Sequence, residues 1–180
     1  MMERKAGWIL AAVWLVGIVG LMGCARLTVV PVAGSSYRGT PLTAQELCQD
    51  PFGHGRRKAD FDAQLPRTKV TRMVSRSEQE PGRADTIFSY DFPDRGGIRL
   101  YQTSFGQELF LTAVIKTNKF PLRNGLRVGL PLDSVRRYVE LPGVVGDTLK
   151  IAEPGCPHNL SLHFGADQRL RSILIWATRR

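Results

Sequence analysis

Residues that carry catalytic chemistry are scarce in this chain, which has only three histidines and three cysteines among its 180 residues. It has no G-x-S-x-G turn for a nucleophilic serine, no glycine-rich phosphate loop and no His-Glu-x-x-His helix for zinc. Ser104, Ser134 and Ser161 therefore lack a recognisable activating sequence. We predict that the protein is not an enzyme, with no catalytic residue, no cofactor and no metal.

The histidines and aspartates lead to the same prediction. Asp91 and Asp94 flank Phe92-Pro93, a pattern typical of turns rather than of paired catalytic acids. His163 alternates with apolar neighbours, so we expect it on the opposite face of a strand. His54 lies between two glycines and is expected in a mobile loop.

A long apolar run occurs at the N-terminus. Residues 6–23, AGWILAAVWLVGIVGLMG, carry no charge and follow the basic pair Arg4-Lys5. A short basic head before an apolar core is typical of an export signal. About 17 to 20 apolar residues can also span a membrane, so an uncleaved membrane helix remains an alternative. A second alternative is an ordinary secretory signal with an incidental cysteine.

The run ends in Leu21-Met22-Gly23-Cys24, which resembles the bacterial lipobox. In that family the cysteine thiol receives diacylglycerol, and a peptidase then cuts before it. The resemblance implies that residues 1–23 are a signal peptide and that Cys24 becomes a lipidated N-terminus in the cell envelope. Ala25 stands where an aspartate would retain such a lipoprotein in the inner membrane. This favours the outer membrane, facing the periplasm.

Charge indicates a basic surface without a long basic run. Removal of the signal, with Arg4, Lys5 and Glu3, leaves 23 basic and 15 acidic side chains and a net charge of +8. Such a surface favours anionic partners such as phospholipid head groups, although a general basic bias explains it equally well. We expect no nucleic-acid partner, because an exported lipoprotein seldom meets nucleic acid.

Two further cysteines, Cys48 and Cys156, remain in the exported part. An even number in an oxidising compartment predicts one disulfide. Two buried free thiols are an alternative, and a metal site that includes His158 is another. Zinc sites usually show closely spaced ligand pairs, which Cys48 lacks.

The rest of the chain predicts a tether and one α+β domain. Residues 24–42 mix Pro, Gly and Ser without periodicity, as a flexible lipidated tether does. Residues 43–180 alternate helical and strand patterns and have the size of a single domain. The predicted helices cover about 43–47, 58–65 and 132–139, and the predicted strands about 69–74, 86–92, 98–102, 109–117, 147–151, 160–164 and 170–177.

Residues 43–118 and 119–180 have similar patterns. Phe105-Gly106 and Phe164-Gly165 each form a turn before an apolar strand, and each half runs from helix to strands. We therefore expect two related helix-plus-strands repeats. They would form one antiparallel sheet with helices packed on one face.

Val128-Gly129-Leu130-Pro131-Leu132-Asp133-Ser134-Val135, with the later run Ser172-Ile173-Leu174-Ile175-Trp176, resembles a superfamily of small exported α+β domains. It includes the outer-membrane lipoprotein of the β-barrel assembly machinery and the β-lactamase-inhibitor-protein domains. The usual Leu-Gly-x-Pro turn after the helix is replaced here by Val139-Glu140-Leu141-Pro142-Gly143. The assembly lipoprotein also has a single unit in a shorter chain.

The anchor and the resemblance imply a non-enzymatic binding or scaffolding lipoprotein, held at the membrane through lipid on Cys24, with an envelope protein as partner. The alternative is a periplasmic inhibitor or sensor of an envelope enzyme. An interface is expected if Tyr90, Phe92, Tyr101 and Phe110 form an exposed patch. A polar pocket that unites a histidine with Asp or Ser side chains would instead favour a hydrolase.

Overall fold

Seven strands and three short helices account for most of the described chain. The computed structural model describes residues 40–77, 81–140 and 146–178, all within one unit of the chain, Ser36–Arg180. They form a mixed α+β fold with a seven-stranded antiparallel sheet. The predicted signal peptide, Cys24 and the tether up to residue 39 lie outside the described residues. Within those residues, no helix combines the length and the apolar character needed to cross a membrane.

Two of the three helices begin at side chains that accept from free backbone N–H groups. Helix α1 is Ala44–Gln49, and it begins with a capping box: Thr43 Oγ1 accepts from the Glu46 N–H, and Glu46 Oε2 accepts from the Thr43 N–H. Helix α2 is Lys58–Gln64, where Asp60 Oδ2 accepts from the Arg57 N–H at 2.8 Å. Helix α3, Leu132–Tyr138, directly follows Pro131.

The strands form a single sheet in which two meanders meet. Its order is β1-β2-β3-β4-β7-β6-β5, with β4 paired to β7. Periodicity predicted all seven strands to within a few residues. A short 3₁₀ helix, Arg123–Gly125, lies between β4 and α3. The strands are β1 Lys69–Arg76, β2 Ala84–Asp91, β3 Gly97–Gln102, β4 Glu108–Ile115, β5 Thr148–Ile151, β6 His158–Phe164 and β7 Leu170–Ala177.

The core lies on one face of this sheet. A buried row crosses six strands in register, and each member is at most 1% exposed. Removal of a buried Leu or Ile side chain from water contributes roughly 1.5–3 kcal/mol. Phe61 of α2 packs against the first residue of the row, with ring centroids 5.9 Å apart. The row consists of Tyr90, Ile98, Ala113, Ile175, Leu160 and Ile151.

Three of the four aromatic residues considered for an exposed patch belong to this core. Tyr90, Phe92 and Phe110 are buried, and Tyr101 is half-buried on the other face. The Tyr90 hydroxyl donates to Asp62 Oδ1 at 2.7 Å, which ties β2 to α2. An aromatic binding patch built from these four residues therefore does not form, and any binding surface must lie elsewhere.

Candidate interaction surface

Strand β1 stands apart because all eight of its residues are exposed. It forms the end of the sheet and pairs with β2. Three of its apolar side chains are unusually open for a strand: Val70 is 39%, Met73 57% and Val74 54% exposed. Proteins usually protect such an edge, since its free N–H and C=O groups can pair with another chain.

The hydrogen-bond pattern identifies which residues of β1 face the free edge. The N–H of Ser77 donates to the carbonyl of Arg83 at 2.9 Å, just beyond the last paired residues of β1 and β2. Hydrogen-bonded pairs alternate along an antiparallel ladder, so the odd-numbered residues of β1 bond to β2. The even-numbered residues therefore point their N–H and C=O groups outward. They are Val70, Arg72, Val74 and Arg76.

An apolar row crosses four strands on the sheet face opposite the core. In register, Met73 pairs with Ile87, Ile87 with Tyr101, and Tyr101 with Leu109. Met73 and Leu109, at the two ends, are 57% and 43% exposed, and the inner two residues are half-buried. We call Met73, Ile87, Tyr101 and Leu109 the apolar row. Contiguous apolar surface of this kind is typical of a contact site.

A buried carboxylate holds the apolar row and the neighbouring turn in place. The Tyr101 hydroxyl donates to Asp85 Oδ2 at 2.5 Å, and the Ser104 N–H donates to Asp85 Oδ1 at 2.8 Å. The Tyr101 hydrogen bond is the main reason that the pKa of Asp85 lies below its usual value, although burial acts in the opposite direction. Asp85 thus fixes the turn that carries Phe105, whose side chain is 62% exposed.

The charge along β1 has one sign. Lys69, Arg72 and Arg76 are its only ionisable residues, and all three are exposed. Arg83 lies at the start of the neighbouring strand, with its guanidinium 4.7 Å from the Phe105 ring centroid. Of the acidic residues paired with β1, Asp85 is buried and hydrogen-bonded, whereas Asp91 is exposed opposite Lys69 and accepts from Thr71 Oγ1 at 3.0 Å. Among the described residues, the part of the free edge that holds Arg72 and Arg76 is consequently cationic.

The predicted cysteine pair is brought together at the far side of the sheet. Cys48 in α1 and Cys156 before β6 lie at disulfide distance, with Cα atoms 5.8 Å apart. Both are buried. The pair joins the first helix to the loop between β5 and β6. Cys24, the predicted lipidation site, lies outside the described residues.

His158 lies beside this pair, but its ring nitrogens are already engaged. Nδ1 lies 2.9 Å from the Cys48 carbonyl, and Nε2 lies 2.7 Å from a guanidinium nitrogen of Arg56. A neutral ring that donates from Nδ1 and accepts at Nε2 satisfies both contacts. Burial is the main cause that lowers the pKa of His158, and the positive charge of Arg56 lowers it further. These contacts disfavour the alternative of a metal site with the cysteines.

His54 lies in a loop, as its flanking glycines predict, but its ring is half-buried among aromatic side chains. Its ring packs against Phe61 and Phe120 with centroid distances of 5.6 and 6.3 Å, and its two buried ring nitrogens have no hydrogen-bond partner among the described residues. A cavity of about 500 Å³ contains both His54 and Asp50. Asp50 Oδ1 accepts from the Gly53 N–H at 3.0 Å. Because neither ring nitrogen of His54 has a hydrogen-bond partner among the described residues, the two side chains do not form a hydrogen-bonded acid–base pair.

Metal-ligand geometry is likewise missing from the part of the chain that the structure describes. No group of three His, Cys, Asp or Glu side chains there could hold an ion. No protein-family model, curated protein or solved structure matches the chain, so its function has to be inferred from its own residues.

Sequence reasoning missed the exposed side of the sheet, yet a signal for it is present in β1. In KVTRMVSR neither alternating face is consistently apolar: Arg72 lies between Val70 and Val74, and Met73 lies between Thr71 and Ser75. A strand buried on one face shows clean alternation. Irregular alternation with interspersed cations is typical of an edge strand.

Proposed function

We propose that this chain is a lipid-anchored protein of the bacterial cell envelope whose α+β domain binds another envelope protein. The observation that carries the binding part is the apolar row, which is continuous across four strands and partly exposed. It lies on the face opposite the buried core, so its exposure is not required for packing of the core.

The anchor is supported by the lipobox-like residues and by the cysteine pair. Leu21-Met22-Gly23-Cys24 supplies the processing pattern, with Cys24 as the acylated residue. Cys48 and Cys156 at bonding distance suit an oxidising compartment outside the cytoplasm. The absence of aspartate after Cys24 favours the outer membrane, with the domain in the periplasm. The role is that of a binding or scaffolding module rather than a catalyst.

A duplicated architecture belongs to the same proposal. Strands β1–β4 follow helices α1 and α2, strands β5–β7 follow α3, and the two meanders meet at β4 and β7. This arrangement supports two related repeats with their helices on one face, as in the resemblance to the exported α+β superfamily. The first repeat has one more strand, and that additional strand is the exposed β1.

Mass spectrometry of the protein purified from membranes tests the anchor. We expect loss of residues 1–23, a diacylglycerol-derived mass on Cys24 and a peptide pair linked through Cys48 and Cys156. The variant Cys24→Ser should accumulate as an unprocessed precursor, whereas Cys48→Ser should still be cleaved. A Cys24→Ser chain that matures normally would show that the anchor proposal is wrong.

Site-specific crosslinking tests the binding surface. A photo-crosslinking amino acid at Met73 or Leu109 should link the chain to a discrete envelope protein in intact cells. The matched position is Arg136 on α3, which is also exposed and should give no such product. The double variant Met73→Glu/Leu109→Glu should abolish co-purification of the linked protein. Equal crosslinking at all three positions would contradict a specific surface at the apolar row.

A further inference from the structure

The free edge of β1 has the features of an acceptor for one more strand. Its outward-facing residues, Val70, Arg72, Val74 and Arg76, leave N–H and C=O groups without a strand partner among the described residues. An extended peptide can satisfy such groups by adding itself to the sheet, which gives affinity through main-chain hydrogen bonds. The eight-residue length of β1 provides a full-sized ladder for this.

We propose that β1 binds an extended, acidic segment of the partner protein as an eighth strand of the sheet. This deepens the proposed function, on which it rests, because it states how the partner is held and which chemistry it carries. The partner segment would alternate acidic and apolar residues.

The positive charges of β1 favour an acidic segment over a second copy of this chain as the added strand. Arg72 and Arg76 lie on the same face of β1 as Val70 and Val74, and Lys69 lies on the other face. Antiparallel pairing of two β1 strands would bring these cations close to one another, and like charges on opposed strands are destabilising. Carboxylates on an added strand would instead pair with the arginines. The cationic edge thus disfavours self-association and favours an acidic partner.

The apolar row supplies a second contact for the same strand. Met73 is the last residue of the row and lies on the outermost strand, with 57% of its surface exposed. An eighth strand would place one of its residues next to Met73 on the face that carries the row. An apolar residue there would extend the row by one position. The segment therefore carries apolar side chains on this face and acidic ones opposite Arg72 and Arg76.

The test uses two capped synthetic peptides with the full chain in mild detergent. One peptide alternates valine and glutamate, and the other alternates valine and lysine. We expect the glutamate peptide to bind at least tenfold more tightly by fluorescence anisotropy, and added salt to weaken it. The variant Arg72→Glu/Arg76→Glu should reverse the preference. Equal binding of the two peptides to the unmodified chain would overturn the proposal.

A proline variant separates main-chain pairing from side-chain contact. Val74→Pro removes an outward N–H without loss of a hydrogen bond to β2, because the Val74 N–H faces the free edge. We expect Val74→Pro to reduce glutamate-peptide binding at least tenfold, and the matched Val74→Ala less than threefold. Both should retain the wild-type circular dichroism spectrum. Equal binding by the two variants would exclude strand addition.

Amide exchange on the unmodified chain gives a readout that needs no variant. Peptide binding should slow hydrogen exchange at Val70, Arg72, Val74 and Arg76, while the odd-numbered residues of β1 change little. Protection at other positions alone would overturn strand addition. If these tests fail but crosslinks at Met73 and Leu109 persist, the partner binds through the apolar row and the proposed function stands. If the crosslinks are also lost, the proposed function fails as well.

Discussion

Strands β1 and β6 belong to the same sheet and have similar lengths, but their surroundings differ completely. All eight residues of β1 are exposed, whereas five of the seven residues of β6 are buried. Strand β6 pairs on both sides and contacts α1, while β1 has one strand neighbour. Stability is thus concentrated at one side of the sheet, which leaves the other side available for binding.

The largest effect should come from the covalent link beside β6. Removal of both thiols in Cys48→Ala/Cys156→Ala frees a loop of 108 residues in the unfolded chain. The chain-entropy relation predicts a loss of about 4 to 5 kcal/mol in the free energy of unfolding. Urea denaturation of the oxidised wild type and of the variant measures this difference. A reductant should lower the free energy of unfolding of the wild type to that of the variant. A loss below about 1 kcal/mol would contradict a stabilising disulfide.

A single truncation within β6 should come next. Leu162 is fully buried and pairs with Leu149 and Ile173 in the neighbouring strands. Leu162→Ala removes three carbon atoms from a packed interior, and we expect a loss of about 2 to 5 kcal/mol in the free energy of unfolding. Thermal and urea denaturation provide the measurement. A loss of less than about 1 kcal/mol would mean that this side of the sheet is not the stable one.

The fold was more predictable from sequence than the binding surface was. Alternation of apolar residues is local, so Phe88, Tyr90 and Phe92 suffice to predict β2. The pairing of β4 with β7 joins distant segments. The proposed duplication predicted a single sheet but not which strands join its two halves. The rings that pack against His54 include Phe120, which is far along the chain. The glycines that flank His54 predict a loop but not what packs against the ring.

The cysteine pair and the exposed edge illustrate the same limit. Composition alone predicts that Cys48 and Cys156 pair, because only two cysteines remain after Cys24. The irregular alternation in β1 indicates an edge strand, but no local pattern specifies that all eight of its residues are exposed. The apolar row likewise arises from the register of four strands, and a shift of one residue would move Met73 to the other face.

The free energy of unfolding should depend on pH because His158, the first residue of β6, is buried. The pKa of this residue is below its usual value of about 6.5, because burial and Arg56 disfavour the charged ring. The contribution of neutral His158 to stability is therefore complete above about pH 6.5 and declines as the pH falls, since the unfolded chain binds a proton that the folded chain resists. His158→Gln should cost about 1 to 3 kcal/mol at pH 7.

The difference between wild type and His158→Gln isolates this residue from other titrations. We expect the difference in the free energy of unfolding to shrink as the pH falls from about 7 to about 5. Urea denaturation at several pH values measures it, with His163→Gln as the matched control on the opposite sheet face. A difference that grows as the pH falls would show that the buried ring is charged, contrary to its contacts with the Cys48 carbonyl and Arg56.

The smallest effect on stability should come from β1 itself. Met73 is 57% exposed and lies on the outermost strand, so Met73→Ala removes little buried surface. We expect a change within about 0.5 kcal/mol in the free energy of unfolding, measured by urea denaturation. The same substitution should weaken crosslinking to the partner from a photo-crosslinking residue at position 109, because Met73 is the outermost residue of the apolar row. A large loss of stability would mean that Met73 packs within the fold rather than serving a binding surface. The contrast between Met73 and Leu162 therefore tests whether the two sides of the sheet have separate roles.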